Sequence, residues 1–160
     1  MKKLDSFIRE SLRVTPHVAS LLIFRIVMAG SFEFEKDFVL PNGALCAFPH
    51  SHMLWDSDDY PDPHKFDGLR FYNSKGDRAS AVKRNHDLLR GWSTFGVGRQ
   101  ACPGRFFALT FFNIVLGEII LRYDVRYVGE ERPRPSMLDL GLVFAADPTV
   151  ELEFRARGKS

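Results

Sequence analysis

The sequence predicts an α+β fold, in which helices accompany short antiparallel strands. Apolar residues recur at helical spacing from Leu4 to Leu12, and a second helical run extends from Gly104 to Tyr123. Between these helices lie short runs typical of strands, such as the alternating Phe32 to Glu35. The turn residues Pro41-Asn42-Gly43 separate two such runs, which favours a hairpin within a small antiparallel sheet.

Length, composition and charge exclude several classes of protein. The 160 residues are 45% hydrophobic and carry a net charge of +2, which fits one globular domain and does not favour nucleic acid as a partner. Two distant cysteines, Cys46 and Cys102, without Cys-x-x-Cys spacing favour free thiols in an intracellular chain. No window reaches the roughly 20 apolar residues of a spanning helix, so we expect no transmembrane anchor in this sequence.

The first helix begins almost at Met1 and is expected to end before Thr15-Pro16, because proline disfavours a helical conformation in the residue before it. Glu10 and Arg13 are three positions apart and therefore share a helical face. On spacing alone they are a solvated pair that contributes about 0.2–0.5 kcal/mol.

The strands of the first half follow this helix. Their expected ranges are Leu21 to Val27, Phe32 to Glu35, Phe38 to Leu40 and Ala44 to Phe48. The hairpin is expected to join the last two through Pro41-Asn42-Gly43, with Cys46 packing on it.

The middle of the chain is expected to be mostly irregular. His50 to Met53 favours one helical turn, and the Asp- and Pro-rich stretch from Asp56 to Pro63 disfavours regular structure. The polar residues from Tyr72 to Arg90 predict an exposed loop, called the polar excursion below. Three histidines occur here without a Cys or acid at ligand spacing, so surface histidines are favoured over a metal site: His50, His52 and His64.

The last third combines a long helix with strands. Gly104 to Tyr123 is apolar on nearly every side and requires burial all round, which a chain of this length can hardly provide. Strand-like runs follow it at Val125 to Val128, Leu140 to Phe144 and Val150 to Phe154.

The stretch from Phe95 to Gly104 has the clearest chemistry. Cys102 lies between glycines just before the long helix, where backbone N–H groups and the helix dipole favour a thiolate. Such a sulfur either attacks a substrate or binds a metal. A nucleophile needs a base, and His86 and the other histidines fall in polar loops, so this role has little support.

Three motifs, in this order, resemble those of the cytochrome P450 family. Glu10-Ser11-Leu12-Arg13 fits Glu-x-x-Arg, and Arg70-Phe71 fits the second signature. The third, Phe-x-x-Gly-x-x-x-Cys-x-Gly, is strong by itself and is matched by Phe95, Gly98, Cys102 and Gly104. The resemblance runs from about Leu4 to Arg155, and the run Gly98 to Ala108 is similar to fungal members that oxidise secondary metabolites.

The resemblance implies a haem b cofactor. Cys102 would be the axial iron ligand, Phe95 would pack beside the sulfur, and Gly98 and Gly104 would leave room for the flat macrocycle. The family usually has Arg or His two residues before the cysteine, where this chain has Gln100. An amide donates a hydrogen bond without neutralising a propionate, so two arginines are candidates for the electrostatic part, although both also fit surface positions: Arg99 and Arg25.

The resemblance also implies that Glu10, Arg13 and Arg70 form a buried charge network, which locks the first helix to the irregular segment behind the haem. A smaller departure is Leu54-Trp55-Asp56, where the family often has His-x-Asp. The family's oxygen-activating helix lies upstream of Glu-x-x-Arg and has no counterpart here. We therefore expect residues 1–160 to be a single incomplete domain, the proximal haem-binding third, without catalytic distal residues.

The implied activity is that of a haem-thiolate monooxygenase, or of its haem-binding portion. Such an enzyme inserts an oxygen atom from O2 into a hydrophobic metabolite, such as a terpenoid or polyketide, with electrons from an NADPH-dependent P450 reductase. The alternative is a catalytically inactive truncated remnant or an incomplete gene model. Full-length fungal relatives sit on the endoplasmic reticulum through an N-terminal anchor, and the location of this chain stays open.

Overall fold

A computed structural model describes residues 2–16, 21–28, 30–72, 94–96, 98–129, 135–140 and 143–158. These residues form a mixed arrangement of helices and short strands, which confirms the α+β prediction. The helices are α1 (Lys2–Val14), α2 (His50–Leu54) and α3 (Arg105–Arg122). The strands are β1 (Leu21–Ile26), β2 (Phe32–Glu35), β3 (Phe38–Leu40), β4 (Leu45–Phe48), β5 (Tyr123–Tyr127), β6 (Leu138–Asp139), β7 (Phe144–Ala145) and β8 (Leu152–Ala156).

Every strand pair within the described residues is antiparallel. The pairs are β1 with β4, β2 with β3, β5 with β8, and β6 with β7. The longest regular ladder runs from Tyr123 opposite Ala156 to Tyr127 opposite Leu152. Two-stranded ribbons of this size are marginal alone, so these depend on contacts with the rest of the fold.

The predicted hairpin between β3 and β4 is wrong, although its turn exists. The Ala44 N–H donates to the Pro41 carbonyl at 3.0 Å, and Gly43 has a left-handed φ of +83°. However, the Gly43 N–H donates to the Val27 carbonyl at 2.7 Å, and the Val27 N–H donates to the Ala44 carbonyl at 3.1 Å. These bonds draw β4 onto β1, and β3 pairs with β2 across the Lys36-Asp37 turn.

Helix α1 has the bounds that the sequence predicts, because Pro16 follows its last turn. Asp5 in the first turn and Arg13 in the last turn complement the helix dipole. The buried face of α1 is mostly polar, since Ile8 is its one buried apolar residue and the others are Ser6, Arg9, Glu10 and Arg13. This face contacts the segment from Leu54 to Phe71, whose buried apolar residues are Leu54 and Tyr60.

Helix α3 is long and apolar, and this chain leaves most of its surface exposed. Leu109 is the only buried residue of α3, whereas Phe107 is 76% exposed and Leu121 is 73% exposed. The helix contacts α1 and β5. It ends at Arg122, and the extended backbone of the next residue, Tyr123, begins β5. Among the described residues, no helix combines the length and apolarity needed to cross a membrane.

The segment between α2 and residue 72 is irregular, as predicted, and local hydrogen bonds shape it. The Asp58 N–H donates to the Asp56 carboxylate, and the Leu69 N–H donates to the Asp67 carboxylate, each at 2.9 Å. Both are turns that a side chain closes on its own backbone. The polar excursion predicted to end at Arg90 lies, beyond Tyr72, outside the described residues.

Candidate functional site

The cysteine loop, described at residues 95–96 and 98–104, curls back on itself just before α3. The Cys102 N–H donates to the Phe95 carbonyl at 2.8 Å, and the Ala101 N–H donates to the Gly98 carbonyl at 3.2 Å. Gly96 and Gly98 have φ angles of +72° and +63°, in the left-handed region that residues with a Cβ atom rarely adopt. These two glycines and the two hydrogen bonds set the path that carries the thiol to the start of α3.

Cys102 is exposed, and Gly104 is the N-cap residue of α3. Gly104 has an ordinary φ of −79°, and a Cβ built on it would approach the Cys102 sulfur no closer than 3.9 Å. A Cβ built on Gly98 would meet no atom of the described residues within 4 Å. Contacts among the described residues therefore do not require the lack of a side chain at either glycine. The exposed Cys102 sulfur could ligate an iron, and the space beside Gly98 and Gly104 could accommodate a flat macrocycle that carries it.

Arg105 supports the cysteine turn, a role that none of the sequence motifs predicted. Its Nη1 donates to the Cys102 carbonyl at 2.9 Å, and its guanidinium carbon lies 4.3 Å from the centroid of the Phe106 ring. The side chain therefore links the first turn of α3 to the residue that carries the thiol. The signal in the sequence was a cation three residues after the cysteine, at the point where the helix begins.

The residues predicted for the charge network come together in the interior. Arg13 donates from Nε to Glu10 Oε2 and from Nη2 to Glu10 Oε1, each at 2.9 Å. Arg70 donates from Nε to the same Oε1 at 3.1 Å. Glu10 and Arg13 have fully buried side chains, and that of Arg70 is 13% exposed. The solvated pair that spacing alone suggested is therefore a buried one.

Backbone groups complete this network. Arg13 Nη1 donates to the Leu54 carbonyl at 2.8 Å, and the Asp67 N–H donates to Glu10 Oε1 at 3.0 Å. Arg70 Nη1 reaches the Pro61 carbonyl at 2.6 Å. Burial alone raises the pKa of Glu10, but hydrogen bonds from Arg13, the Asp67 N–H and Arg70 outweigh it and hold that pKa below its usual value. Glu10 is therefore a carboxylate that joins α1 to the irregular segment.

The remaining predicted cofactor residues are only partly described. Arg99 is exposed in the 3-10 turn Gly98–Gln100. Arg25 lies on β1 opposite Cys46, but its side chain and that of Gln100 lie outside the described residues. His86 also falls outside them. The propionate roles suggested for the two arginines and Gln100 thus stay predictions.

Three relatives with curated names match nearly the whole chain. Aspergilol synthase AuAP450 of Aspergillus ustus is 47% identical over 98% of this chain and 29% of its own length. Cytochrome P450 monooxygenase sttB of Aspergillus terreus is 43% identical over 98% of this chain and 30% of its own. Pyrichalasin C-7 hydroxylase of Pyricularia grisea is 34% identical over 97% of this chain and 30% of its own length. The chain thus spans about 30% of the length of these relatives.

Solved structures show the same fold. A retinoic acid-bound cyanobacterial CYP120A1 matches with a TM-score of 0.74 at 24% identity, over 98% of this chain and 33% of its own. The haem domain of a cytochrome P450DA mutant matches with a TM-score of 0.72. Residues 1–152 also match the family model described as Cytochrome P450. This chain therefore belongs to the cytochrome P450 family, whose cofactor is haem b, and it corresponds to the C-terminal part of the family's fold.

Proposed function

We propose that residues 95–104 are the haem-binding loop of a cytochrome P450 monooxygenase and that Cys102 would supply the thiolate that ligates the haem iron. The observation that carries this proposal is the exposed Cys102 at the start of α3, held in place through Phe95 and Arg105. When bound, the haem supplies the oxygen chemistry of the family, with the thiolate pushing electron density toward O–O cleavage. The protein's part is to orient the sulfur and to hold the cofactor.

The other residues of the loop hold and shape the site in this proposal. The Phe95 carbonyl fixes the backbone of Cys102, and the two open glycines, Gly98 and Gly104, leave room for the macrocycle. Arg99 is exposed and available to a propionate, and Arg25 and Gln100 are proposed as further partners. The buried network around Glu10 holds the irregular segment against α1.

We also propose the reaction and its participants from the relatives. The enzyme would insert an oxygen atom from O2 into a hydrophobic secondary metabolite, such as a terpenoid or polyketide, with electrons from an NADPH-dependent P450 reductase. Two fungal relatives are named as a monooxygenase and a hydroxylase, which supports an oxidation of this kind. Residues 1–160 would then supply the proximal part of a larger domain.

The ligand assignment is tested by the spectrum of the reduced, carbon monoxide-treated protein, expressed from its complete gene. The unaltered protein and Cys46→Ala should both give a red-shifted Soret band. Cys102→Ala should abolish that band, and Cys102→His should bind haem with a nitrogen-ligated spectrum. A red-shifted band in Cys102→Ala would exclude Cys102 as the ligand, whereas its loss in Cys46→Ala would point to the other thiol.

A second candidate is a remnant of such an enzyme that does not retain haem. The exposed apolar residues of α3 favour it, because a surface of this kind promotes association with other chains rather than a stable monomer. Haem titration of the purified polypeptide, followed by size-exclusion chromatography, separates the two candidates. A monomer that retains haem with the thiolate spectrum would exclude the remnant.

A further inference from the structure

Arg9 is a buried cation of α1 that does not belong to the Glu-x-x-Arg motif. Only 6% of the residue is exposed, and it lies on the same helical face as Ser6 and Arg13. A long cationic side chain is seldom buried to this extent without a favourable partner. Its contacts therefore bear on how α1 holds the irregular segment.

The guanidinium of Arg9 contacts the ring of Phe71. Its central carbon lies 4.0 Å from the ring centroid, well inside the distance at which a cation is attracted to an aromatic face. The Phe71 N–H also donates to Ser6 Oγ at 3.1 Å, and Ser6 is fully buried. Helix α1 therefore holds Phe71 by its ring and by its backbone.

A second pair of the same kind lies beside the first. The guanidinium carbon of Arg13 is 5.1 Å from the Tyr60 ring, and the Tyr60 and Phe71 rings meet edge to face at 6.2 Å. Two arginines on successive turns of α1 thus lie near two aromatic rings that touch each other. The negative ring faces stabilise both buried cations, and at Arg13 they add to the Leu54 carbonyl and the Glu10 carboxylate.

We propose that Arg9 is a positioning residue that acts on Arg70 through Phe71. Arg70 lies between two anchors of the irregular segment. Glu10 holds the Asp67 N–H on one side, and Arg9 with Ser6 holds Phe71 on the other. With both anchors in place, Arg70 Nε meets Glu10. The contact itself does not depend on a cofactor, whereas its effect on haem retention rests on the proposed function.

Native-state hydrogen exchange at the amide of position 71 measures this contact, because exchange requires the bond to Ser6 to open. In the protein expressed from its complete gene, Arg9→Met should lower protection there by about 5- to 30-fold, the range for a desolvated cation–aromatic contact. Arg9→Lys keeps the charge and should therefore lower the protection at position 71 by a smaller factor. Adding Arg9→Met to Phe71→Leu should cause little further loss, because the contact is already gone.

Lys3 and Tyr72 provide a matched control on the same helix and segment. Lys3 Nζ lies 5.6 Å from the Tyr72 ring centroid, and Lys3 is exposed. Lys3→Met should lower protection at position 71 by no more than about 2- to 5-fold, since exposed pairs contribute less. Additive effects of Arg9→Met and Phe71→Leu, or an Arg9→Met effect no larger than that of Lys3→Met, would refute the contact.

Haem release into an excess of apomyoglobin tests the positioning role. Arg9→Met should release haem several-fold faster than the unaltered protein, and Arg9→Lys should restore part of the difference. If Arg9→Met and Phe71→Leu are coupled in hydrogen exchange but Arg9→Met releases haem at the unaltered rate, the positioning role would be refuted. An unaltered protein that holds no thiolate-ligated haem would instead refute the proposed function, and the exchange result would stand apart from it.

Discussion

Glu10→Gln removes the carboxylate that joins the two arginines of the predicted charge network, Arg13 and Arg70. The substitution keeps the size and shape of the side chain and converts one acceptor oxygen into an NH2 donor. In the native structure Oε1 accepts from Arg13 Nη2, Arg70 Nε and the Asp67 N–H, and Oε2 accepts from Arg13 Nε. Either orientation of the amide therefore places a donor against donors.

The loss of folding stability expected for Glu10→Gln follows from the burial of its side chain. Glu10 and Arg13 have no exposed side-chain surface, so solvent cannot replace the lost partner. Removing one member of a buried ion pair costs about 3–5 kcal/mol, because the other charge stays buried without compensation. The Glu153–Arg126 pair offers a matched surface control, since these side chains are 51% and 77% exposed and meet at 2.7 Å. For Glu153→Gln we expect about 0–1 kcal/mol.

Urea unfolding at pH 7, followed by far-ultraviolet circular dichroism in the presence and absence of haem, measures both substitutions. Glu10→Gln should lower the midpoint well beyond the change caused by Glu153→Gln, with the same slope if the unfolded state is unaltered. Equal midpoints for the two variants would show that Glu10 contributes no more than a surface carboxylate, and the burial argument would fail.

Two further predictions concern pH and glycine. The pKa of folded Glu10 lies below its ordinary value of 4.5, so its contribution is complete above that pH and is lost as the pH falls through the folded-state pKa. The difference in urea midpoint between the unaltered protein and Glu10→Gln should shrink from pH 7 to pH 4, and a constant difference would contradict this. Gly98→Ala should cost about 1–2 kcal/mol, because Gly98 has a φ of +63°. Gly117→Ala within α3, where a Cβ has open space, should stabilise by about 0.5–1 kcal/mol, and similar effects at both positions would refute the conformational argument.

The sequence predicted the elements of this fold better than their pairing. Helix α1 and the strands β2 and β3 have the predicted bounds, because local periodicity and Pro16 specify them. The partner of β4 depends on hydrogen bonds between Val27 and the turn after β3, which no local pattern contains. Turn residues specify that the chain reverses direction, but they do not determine which strand pairs with the strand that follows the turn.

In the candidate site too, consecutive residues predicted some features, whereas other features depend on residues far apart in the chain. The motif around Cys102 could be recognised from consecutive residues, and the helix start beside it follows from the same stretch. The burial of Glu10 with Arg13 could not be derived from their spacing, because it depends on carbonyl groups and an arginine far along the chain. Arg9 was missed because its partner, Phe71, is aromatic rather than charged, and charge spacing does not reveal such a contact.

The buried charges that join α1 to the irregular segment, those of Glu10, Arg13 and Arg70, fix the path of the backbone more than they add to stability. Replacing a buried ion network by apolar residues of similar volume is often neutral or stabilising, so stability alone does not explain these charges. Apolar side chains, however, could not replace the contacts that Arg70 makes with the Pro61, Asp62 and Lys65 carbonyls. These bonds orient backbone groups in a segment without regular secondary structure. The charges therefore hold an irregular path in one conformation, which non-directional apolar contacts would not specify.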